Sequence, residues 1–268
     1  ATGKPLWRKS YPEDFDGQRP NHGYSAPVGV WGDLAYLQPG GSNGCVAAVN
    51  KLTGELVWRG GEADKPGYSL PIIVSFGQTP TLVCYSANTL MGFDPATGRR
   101  LWTHPRPHPY GNNIIQPVVI GNRIFTGSTD YVGSVLVEVA DSKTHEIWEN
   151  KEVCPVFTTP VLAGGLLFGT SSAKPAKPEG LFCLDPATGA VKWKVQAFEN
   201  GQVLAVDGVV LIIDGQKGDL VMIEPTGEAY REITRFTPLG GRSWSAFFTV
   251  GNRLIVRNQQ AIACFSFL

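Results

Sequence analysis

The stretch 90–102, LMGFDPATGRRLW, decides the fold because it recurs along the chain. Each copy holds an alternating apolar run, a turn of the Asp-Pro-Ala-Thr-Gly kind, and a second run that ends in Trp. Pro presets φ for a turn and Gly accepts positive φ, so the phrase predicts a β-hairpin. The other copies are ATGKPLW at the start, VAAVNKLTGELVW from Val46, LFCLDPATGAVKW from Leu181, and the weaker VLVEVADSKTHEIW from Val135 and LVMIEPTGEAYRE from Leu220.

A second short hairpin precedes most copies, as in GNRIFT from Gly121 and GNRLIV from Gly251. Each repeat therefore holds four short strands. The tryptophans that end successive copies lie 51, 44, 46 and 45 residues apart. Four-stranded repeats of this length are typical of β-propeller blades, the wider class that includes WD40- and YVTN-like repeats.

The predicted fold is all-β, a single β-propeller domain over 1–268 with six antiparallel four-stranded blades. An N-terminal strand around Lys4 to Lys9 is expected to pair with the C-terminal strand and close the last blade, because an open end leaves an unpaired sheet edge. The alternative is an arc of an eight-bladed propeller. The predicted blades are 8–58, 59–102, 103–148, 149–193, 194–231, and 232–268 together with 1–7.

Five of the seven tryptophans occupy one position of the repeat. A structural role is expected for them, as large apolar plates between neighbouring blades, each burying roughly 150–250 Å². They are Trp7, Trp58, Trp102, Trp148 and Trp193.

Charge and cysteine content exclude several classes of function. The chain has 23 Lys and Arg against 23 Asp and Glu, which gives no net field to collect nucleic acid. Its longest apolar runs are strand-sized, so no transmembrane segment is predicted. The chain begins at Ala1, so a targeting peptide is expected to have been removed or left out of the sequence. The five cysteines form no Cys-x-x-Cys pair and are expected to be small buried hydrophobes.

Binding residues are expected on the loop face, defined as the blade ends that carry the long connections between repeats and the second-to-third hairpins. The opposite ends, with the short turns, are the turn face. Polar and aromatic residues at the start of each first strand are predicted to ring the channel mouth on the loop face. They suit neutral sugars or polyols, although the alternative that they only pair with strand N–H groups and water is favoured. These candidates are Tyr24, Ser25, Tyr68, Ser69, Asn113, Gln116, Thr158, Thr159, Gln202, Trp244 and Ser245.

The positions of the acidic residues and histidines do not indicate a catalytic site. Asp14, Asp16 and Asp64 are the acidic candidates on the long loops. His104 and His108 lie in HPRPHPY, which is expected to be a proline-stiffened loop rather than a metal site, because metal sites need three or four convergent ligands. No catalytic, cofactor-binding or metal-binding residue is therefore predicted.

The repeated Asp-x-x-Thr-Gly-x-x-x-Trp wording resembles quinoprotein-type propellers, the PQQ-like and BamB-like repeat proteins of the secreted bacterial kind. The resemblance covers nearly the whole chain and implies a periplasmic or secreted location. The dehydrogenases of that group use adjacent cysteines, calcium and an Asp base, and no Cys-Cys pair exists here. PQQ and calcium are therefore not predicted as cofactors.

Two functions follow as hypotheses. The first is a non-enzymatic scaffold that docks a protein or peptide partner on the loop face, where Tyr, Trp and Arg are common. The alternative is a quinone-dependent or carbohydrate-acting enzyme with its site at the channel mouth.

Overall fold

The computed structural model describes residues 3–174 and 177–266, so Ala1, Thr2 and the two C-terminal residues of the predicted last blade lie outside the description. The described chain is built from short strands. The elements are α1 (Tyr11–Phe15), β1 (Gly29–Trp31), β2 (Leu34–Leu37), β3 (Val46–Asn50), β4 (Leu56–Gly60), β5 (Ile72–Phe76), β6 (Thr79–Tyr85), β7 (Thr89–Phe93), β8 (Arg100–Pro105), β9 (Val118–Ile120), β10 (Arg123–Ser128), β11 (Gly133–Ala140), β12 (Lys143–Asn150), β13 (Val161–Ala163), β14 (Leu166–Lys174), β15 (Lys177–Leu184), β16 (Val191–Val195), β17 (Gln202–Val206), β18 (Val209–Ile213), β19 (Leu220–Ile223), β20 (Glu232–Phe236), β21 (Phe248–Val250), β22 (Arg253–Arg257) and β23 (Ile262–Ser266).

These strands form six sheets in chain order, five of four strands and a last one of three strands among the described residues. Within each sheet consecutive strands are neighbours, as up-and-down hairpins require. The predicted all-β class with propeller blades is confirmed. In each sheet the first and second strands are joined by two residues, as at 32–33 and 77–78.

Two local features differ from the prediction. Residues 4–9 are not part of a strand, and the last sheet, β21 to β23, has no fourth strand within the described ranges. The predicted closing strand is thus absent there. The segment instead leads into the short helix α1, in which Asp14 accepts a hydrogen bond from the Ser10 backbone N–H at 2.7 Å. Pro12 fits this first turn because the missing N–H would be unbonded there.

The chain divides into two compact units, 1–126 with 137–147, and 127–136 with 148–268. The first unit contains the sheets β1–β4 and β5–β8. The second contains the sheets β13–β16, β17–β20 and β21–β23. Residues of the sheet β9–β12 belong to both units. The prediction of a single domain stays a prediction, and the two units are described separately below.

The core of the first unit lies on both faces of the inner strands. In β6, Leu82 and Cys84 pack with the residues of β2 and β3, whereas Val83 and Tyr85 pack on the other face with Trp102. Successive side chains of a strand point to opposite faces, so a strand buried on both sides needs a continuous apolar run. The sequence TLVCY at 81–85 supplies it.

The core of the second unit follows the same rule. In β18, Val210 and Ile212 pack on one face with Phe168, whereas Leu211 and Ile213 pack on the other face with Leu254. All six side chains are at most 2% exposed. Sheets stacked face to face in this way are the packing expected of blades.

The repeat tryptophan of one blade contacts the turn of the next blade. The Trp58 indole N–H donates to the Pro95 carbonyl at 3.0 Å, and a Cβ placed on Gly98 would come within 2.5 Å of the Trp58 ring. Gly98 has φ +71°, so both its backbone and its position against the ring require glycine. The turn therefore docks on the tryptophan by a hydrogen bond and by direct contact.

The same docking recurs in three other places. The indole N–H groups of Trp7, Trp148 and Trp193 donate to the carbonyls of Lys51, Pro186 and Thr226 at 3.0, 2.9 and 2.9 Å. Gly54 and Gly189 lie against the rings of Trp7 and Trp148. This contact explains why the turn and the Trp recur together in the sequence.

Candidate partner-binding site on the loop face

The predicted loop-face residues of the first unit are mostly buried and engaged with neighbouring loops. Asn113 is fully buried, and its side-chain amide donates to the carbonyls of Ser86 and Ala87 at 2.8 and 3.0 Å. The Tyr68 hydroxyl accepts a hydrogen bond from the His22 backbone N–H at 3.0 Å. The Asn113 and Tyr68 side chains thereby fasten one connection to the next.

The other four candidates of this unit differ in burial. The buried Ser69 carbonyl accepts a hydrogen bond from the Gln38 side chain at 2.6 Å. Tyr24 packs edge-on against Tyr11, with ring centroids 4.8 Å apart, and burial raises the pKa of both phenols. Ser25 is exposed and Gln116 is half-buried.

Two candidates of the second unit are also structural. Thr158 and Thr170 both donate to the Gly201 carbonyl, the latter at 3.0 Å. The Gln202 side chain donates to the Phe157 carbonyl at 3.4 Å. The prediction named strand N–H groups as the alternative partners of such side chains, but in the contacts described here the donors bind backbone carbonyls. The reason is that hydroxyl and amide donors serve the unpaired carbonyls of the connections.

The exposed part of this face in the second unit is aromatic. Trp244 and Phe157 are 46% and 51% exposed, and their rings lie nearly parallel, at 11°, with centroids 6.2 Å apart. The Arg242 guanidinium lies over the Trp244 ring at 4.7 Å, within cation–π range. We call Phe157, Arg242 and Trp244 the aromatic patch. Ser245 next to it and Thr159 are half-buried.

Phe157 is a residue that the sequence prediction missed. When the repeats are aligned on Pro71 and Pro160, Phe157 falls at the position of Tyr68. An aromatic residue at a recurring loop position was therefore visible in the sequence. The prediction instead named its neighbours Thr158 and Thr159, which carry hydroxyl groups.

The acidic candidate Asp64 has a structural role. It is nearly buried, and its two carboxylate oxygens accept four hydrogen bonds, from the Lys65 N–H, the Ser86 hydroxyl, the Asn88 N–H and the Asn88 amide, at 2.5–3.0 Å. All of its strong acceptor sites are occupied, which leaves no oxygen for a substrate or a metal. Asp64 thus fixes the shape of the second blade's loop end.

The other two acidic candidates are likewise engaged in local structure. The Ser10 backbone N–H, followed by Lys9, lowers the pKa of Asp14. Asp16 has φ 49° at the end of α1 and accepts a hydrogen bond from the Ser42 hydroxyl at 2.8 Å. Both carboxylates thus bond groups in or next to α1 and its following loop.

The histidine pair does not sit on one loop. His104 is the fifth residue of β8, paired in register with Leu90, and lies 3.9 Å from Glu146. The expectation of a loop over both histidines is therefore wrong for His104, because β8 extends to Pro105. His108 lies in the following connection, and its Nδ1 accepts the Tyr110 backbone N–H at 3.0 Å. Across the described residues, no group of three His, Cys, Asp or Glu is placed to hold a metal ion.

The cysteines do not fit the quinone chemistry of the resembling dehydrogenases. Cys45, Cys84, Cys154 and Cys183 are buried, and Cys264 is exposed on the edge strand β23. Burial raises the pKa of the Cys45 and Cys183 thiols to about 12, so both stay protonated and unreactive. The sequence has no adjacent cysteine pair to cover the quinone, so its residues do not fit PQQ as those dehydrogenases hold it.

No described helix is long and apolar enough to cross a membrane, since α1 has five residues.

Comparison with known proteins agrees with the repeat. The sequence pattern of the family described as outer membrane protein assembly factor BamB matches residues 1–195. The BamB of Shewanella oneidensis is 27% identical over 157 residues, which cover 56% of this chain and 35% of that protein. The crystal structure of BamB from Moraxella catarrhalis is similar with a TM-score of 0.66 at 14% identity, over 91% of this chain and 73% of that one. Quinohemoprotein alcohol dehydrogenase from Comamonas testosteroni follows with a TM-score of 0.52 at 12% identity, over 80% and 43% of the two chains.

Sheets, repeat and docked tryptophans define the chain as a β-propeller protein with quinoprotein-type repeats. The family match covers well over half of its residues. The chain belongs to the family of outer membrane protein assembly factor BamB. It spans only 35% of the length of the Shewanella relative, so the activity and partners of that whole protein are not transferred by the match.

Proposed function

We propose that this chain is a non-enzymatic scaffold that docks a protein or extended peptide partner on its loop face. The family implies a periplasmic or secreted location. The relative's name refers to outer membrane protein assembly, and we infer a partner that takes part in that process. The observation that carries the proposal is the aromatic patch, which exposes two large rings and a guanidinium together.

The chemistry of the patch suits a protein partner. Trp and Arg are the residue types most often found at energetic hot spots of interfaces, where desolvation of a large ring supplies the affinity. The two rings stack and the Arg242 guanidinium covers one of them, so few rotamers remain to be frozen on binding. The Gln202 bond to the Phe157 carbonyl also fixes the backbone under the patch.

Site-specific photo-crosslinking in the organism's own cell envelope tests this proposal. We place a photo-reactive phenylalanine analogue at Trp244 of the full chain, and at Trp31 as the matched control. Trp31 is 44% exposed and ends β1 at the turn face of its blade. The expected result is one discrete protein adduct from position 244 that is absent from position 31.

Alanine substitutions measure how much the aromatic patch contributes to partner binding. In affinity capture with the full chain and no crosslinker, Trp244→Ala is expected to reduce recovery of the partner by more than about tenfold, as loss of a hot-spot residue does. Trp31→Ala is expected to leave it unchanged. Unchanged recovery with both Trp244→Ala and Arg242→Ala would overturn the assignment of the loop face.

A second candidate, binding of a neutral sugar or polyol, rests on a separate cavity of the first unit. It has a volume of about 320 Å³, in the range of ligand pockets, and side chains of Gln18, Asn21, Lys65 and Asn88 line it together with Tyr110. Tyr110 is 60% exposed and offers a ring for stacking beside these amides.

Saturation-transfer NMR with glucose and with glycerol tests the second candidate. Tyr110→Ala is expected to abolish the transfer, whereas Tyr131→Ala, a similarly exposed tyrosine outside the cavity, keeps it. Equal signals from the two variants would remove this candidate and leave the scaffold proposal untouched.

A further inference from the structure

The last sheet, β21 to β23, ends in a strand whose outer edge has no partner strand within the described residues. Each of the other five sheets has a fourth strand at this position. Their third strands are largely buried, as in Val46–Asn50 and Leu220–Ile223, whereas β23 is exposed at every second residue. Ile262 is 74% exposed, and Cys264 is exposed as well. The outer edge of β23 is therefore open to a further strand.

The edge of β23 lacks the features by which proteins prevent unwanted strand pairing. Charged residues, proline and bulges normally protect such an edge. The strand reads IACFS, with no charge and no proline, and it pairs with β22 over five consecutive residues without a register shift. It is therefore suited to β-augmentation, the mode of recognition in which an extended peptide adds to the edge of a sheet.

A groove the width of one strand runs along this edge, between β23 and the fourth strand of the preceding blade, β20. Phe236 of β20 is 43% exposed and packs edge-on against Phe265 of β23, with ring centroids 5.7 Å apart. Phe236 is in register with Leu220, which packs with Leu254 of the last sheet, so Phe236 faces that sheet. Exposed Thr234 lies two residues away on the same side of β20. Phe236 and Thr234 thus form the floor on which an added strand would lie.

The other blades show what kind of strand completes such an edge. In the fourth blade, Cys183 of the third strand is in register with Trp193 of the fourth strand. Small residues also face the repeat tryptophan in the first and second blades. The sequence IACF at 262–265 matches LFCL at 181–184, so Cys264 corresponds to Cys183. An antiparallel fourth strand is therefore expected to place a large aromatic side chain opposite Cys264.

The face on which that aromatic side chain would lie is apolar and exposed. Cys264 is in register with Ile255, and Ile255 with Phe248, so these three side chains share one face of the sheet. Phe248 is 49% exposed, and Val250, two residues further on, is 60% exposed. An aromatic ring at the added position would cover part of this face, and its burial would add to the backbone hydrogen bonds of the new strand.

The charges of the last sheet indicate the charge of the partner. Residues 248–266 contain Arg253 and Arg257 and no Asp or Glu. Both arginines are exposed, and neither forms an ion pair with another described residue. An acidic residue beside the aromatic one would therefore be attracted to the sheet. The chain's own segment 4–9, KPLWRK, is basic like the sheet, and its Trp7 is already bonded to the Lys51 carbonyl.

A second copy of this chain does not fit the edge by pairing β23 with β23. The two-fold axis of such an antiparallel pair is perpendicular to the joined sheet, so both copies keep the same face upward. The blade β17–β20 of each copy would then cover that one face, and the two blades would overlap above the joined edges. A single extended segment meets no such obstacle.

We propose that the edge of β23 binds an extended segment of a protein partner, which completes the last blade as an antiparallel fourth strand. The segment carries an aromatic residue opposite Cys264 and an acidic residue next to it. This contact goes beyond the loop-face scaffold proposed above and shares no residue with the aromatic patch, so either proposal can fail without the other.

Hydrogen exchange of the full chain with a synthetic strand tests the proposal. The probe is the capped peptide Gly-Glu-Leu-Val-Trp-Glu-Gly, copied from residues 54–60 with Glu in place of Arg59. At a peptide concentration of about ten times its Kd, exchange of the edge-facing amides of β23 is expected to slow about tenfold. Exchange in β3, whose fourth strand is present, should not change. Without peptide the edge-facing amides should exchange rapidly at low and at high protein concentration.

Matched peptides and variants test the predicted chemistry by fluorescence anisotropy. Replacement of the peptide's Trp by Ala is expected to weaken binding about tenfold, and replacement of its last Glu by Lys about threefold, because exposed charges interact less strongly. Cys264→Lys protects the edge with a charge and should abolish binding. Val30→Lys is the control, since Val30 is a strand residue of the first unit that is 63% exposed. The peptide variants keep the test decisive if Cys264→Lys does not fold.

Unchanged exchange of the β23 amides at saturating peptide overturns the proposal, and so does equal affinity of the Trp and Ala peptides. Edge-facing amides that are already protected without peptide overturn it as well. Protection that increases with protein concentration would assign the edge to a second copy, and protection at every concentration would assign it to the chain's own residues.

Discussion

Trp58 and Trp102 occupy the same position in consecutive repeats, yet their surroundings differ in kind. Trp58 carries a glycine turn on its ring and a hydrogen bond on its indole N–H. Trp102 has neither. It is buried beside Val139 of the third-blade hairpin, β11 to β12, and polar pairs flank this apolar contact. The Thr144 hydroxyl donates to the Thr103 carbonyl at 3.0 Å, and His104 faces Glu146. One repeat position can therefore be covered either by a glycine turn bonded to the indole or by a hairpin that makes no such bond.

The largest expected effect comes from disrupting the contact between the Gly98 turn and the Trp58 ring. Gly98→Ala adds a methyl group 2.5 Å from the Trp58 ring at a residue with φ +71°. The left-handed backbone costs about 1–2 kcal/mol and overpacking a further 1–3 kcal/mol or so, and thermal unfolding measures the sum. Gly77→Ala is the control, since Gly77 has φ +61° with nothing within 4 Å. It should lose only the backbone part, and equal losses would contradict direct docking on Trp58.

A smaller effect concerns the indole N–H. Trp58→Phe removes the donor to the Pro95 carbonyl, whereas Trp102→Phe removes no hydrogen bond to a described residue. We expect the free energy of unfolding to fall further for Trp58→Phe, by about 1 kcal/mol relative to Trp102→Phe, which is the usual net worth of such a bond. Urea denaturation of both variants measures the difference. A larger loss at Trp102 would reverse the comparison.

The smallest expected effect is a pH dependence at the contact of β8 with the third-blade hairpin. Burial lowers the pKa of His104 below its usual 6.5, although Glu146 partly opposes this. The neutral form is favoured in the fold, so its stabilising effect is fully present above about pH 6.5 and is lost as the pH falls through the lowered folded value. His104→Gln should flatten the pH dependence of stability in this window.

Glu146→Gln is expected to change the pH dependence of stability in the opposite direction to His104→Gln. Removal of the carboxylate leaves burial unopposed, so the fall in stability below about pH 6.5 should become steeper. Urea midpoints on either side of that pH measure both variants. Parallel pH profiles for the wild type and the two variants would show that His104 does not titrate as described.

Much of the fold was predictable because the repeat combines several local signals. Alternating apolar strands, a Pro and Gly turn and a terminal Trp all indicate the same hairpin, and the six sheets follow them. The third-blade turn was less predictable, because Asp141 and Ser142 adopt positive φ without glycine. A strand at 4–9 depends on a distant partner strand, which local sequence cannot supply.

The candidate site was predicted only in part. The sequence pattern singled out candidate residues in the long connections, but hydroxyl and amide side chains gave no sign of whether they would face solvent or a neighbouring carbonyl. Asn113 and Thr158 proved buried, whereas Trp244 is half-exposed. Burial depends on how connections fold over each other, and that information is not local.

Because each such turn docks on the preceding tryptophan, the segment that can be exchanged between proteins is not a single blade. A cut made at the end of a copy of the phrase, as after Trp58, separates the ring from the turn that covers it. The piece left behind would then expose an indole, and the piece removed would carry a glycine turn with nothing to rest on. Exchanges between homologous proteins should therefore transfer a tryptophan together with the following turn, for instance 58–98, rather than one blade as drawn from sheet boundaries.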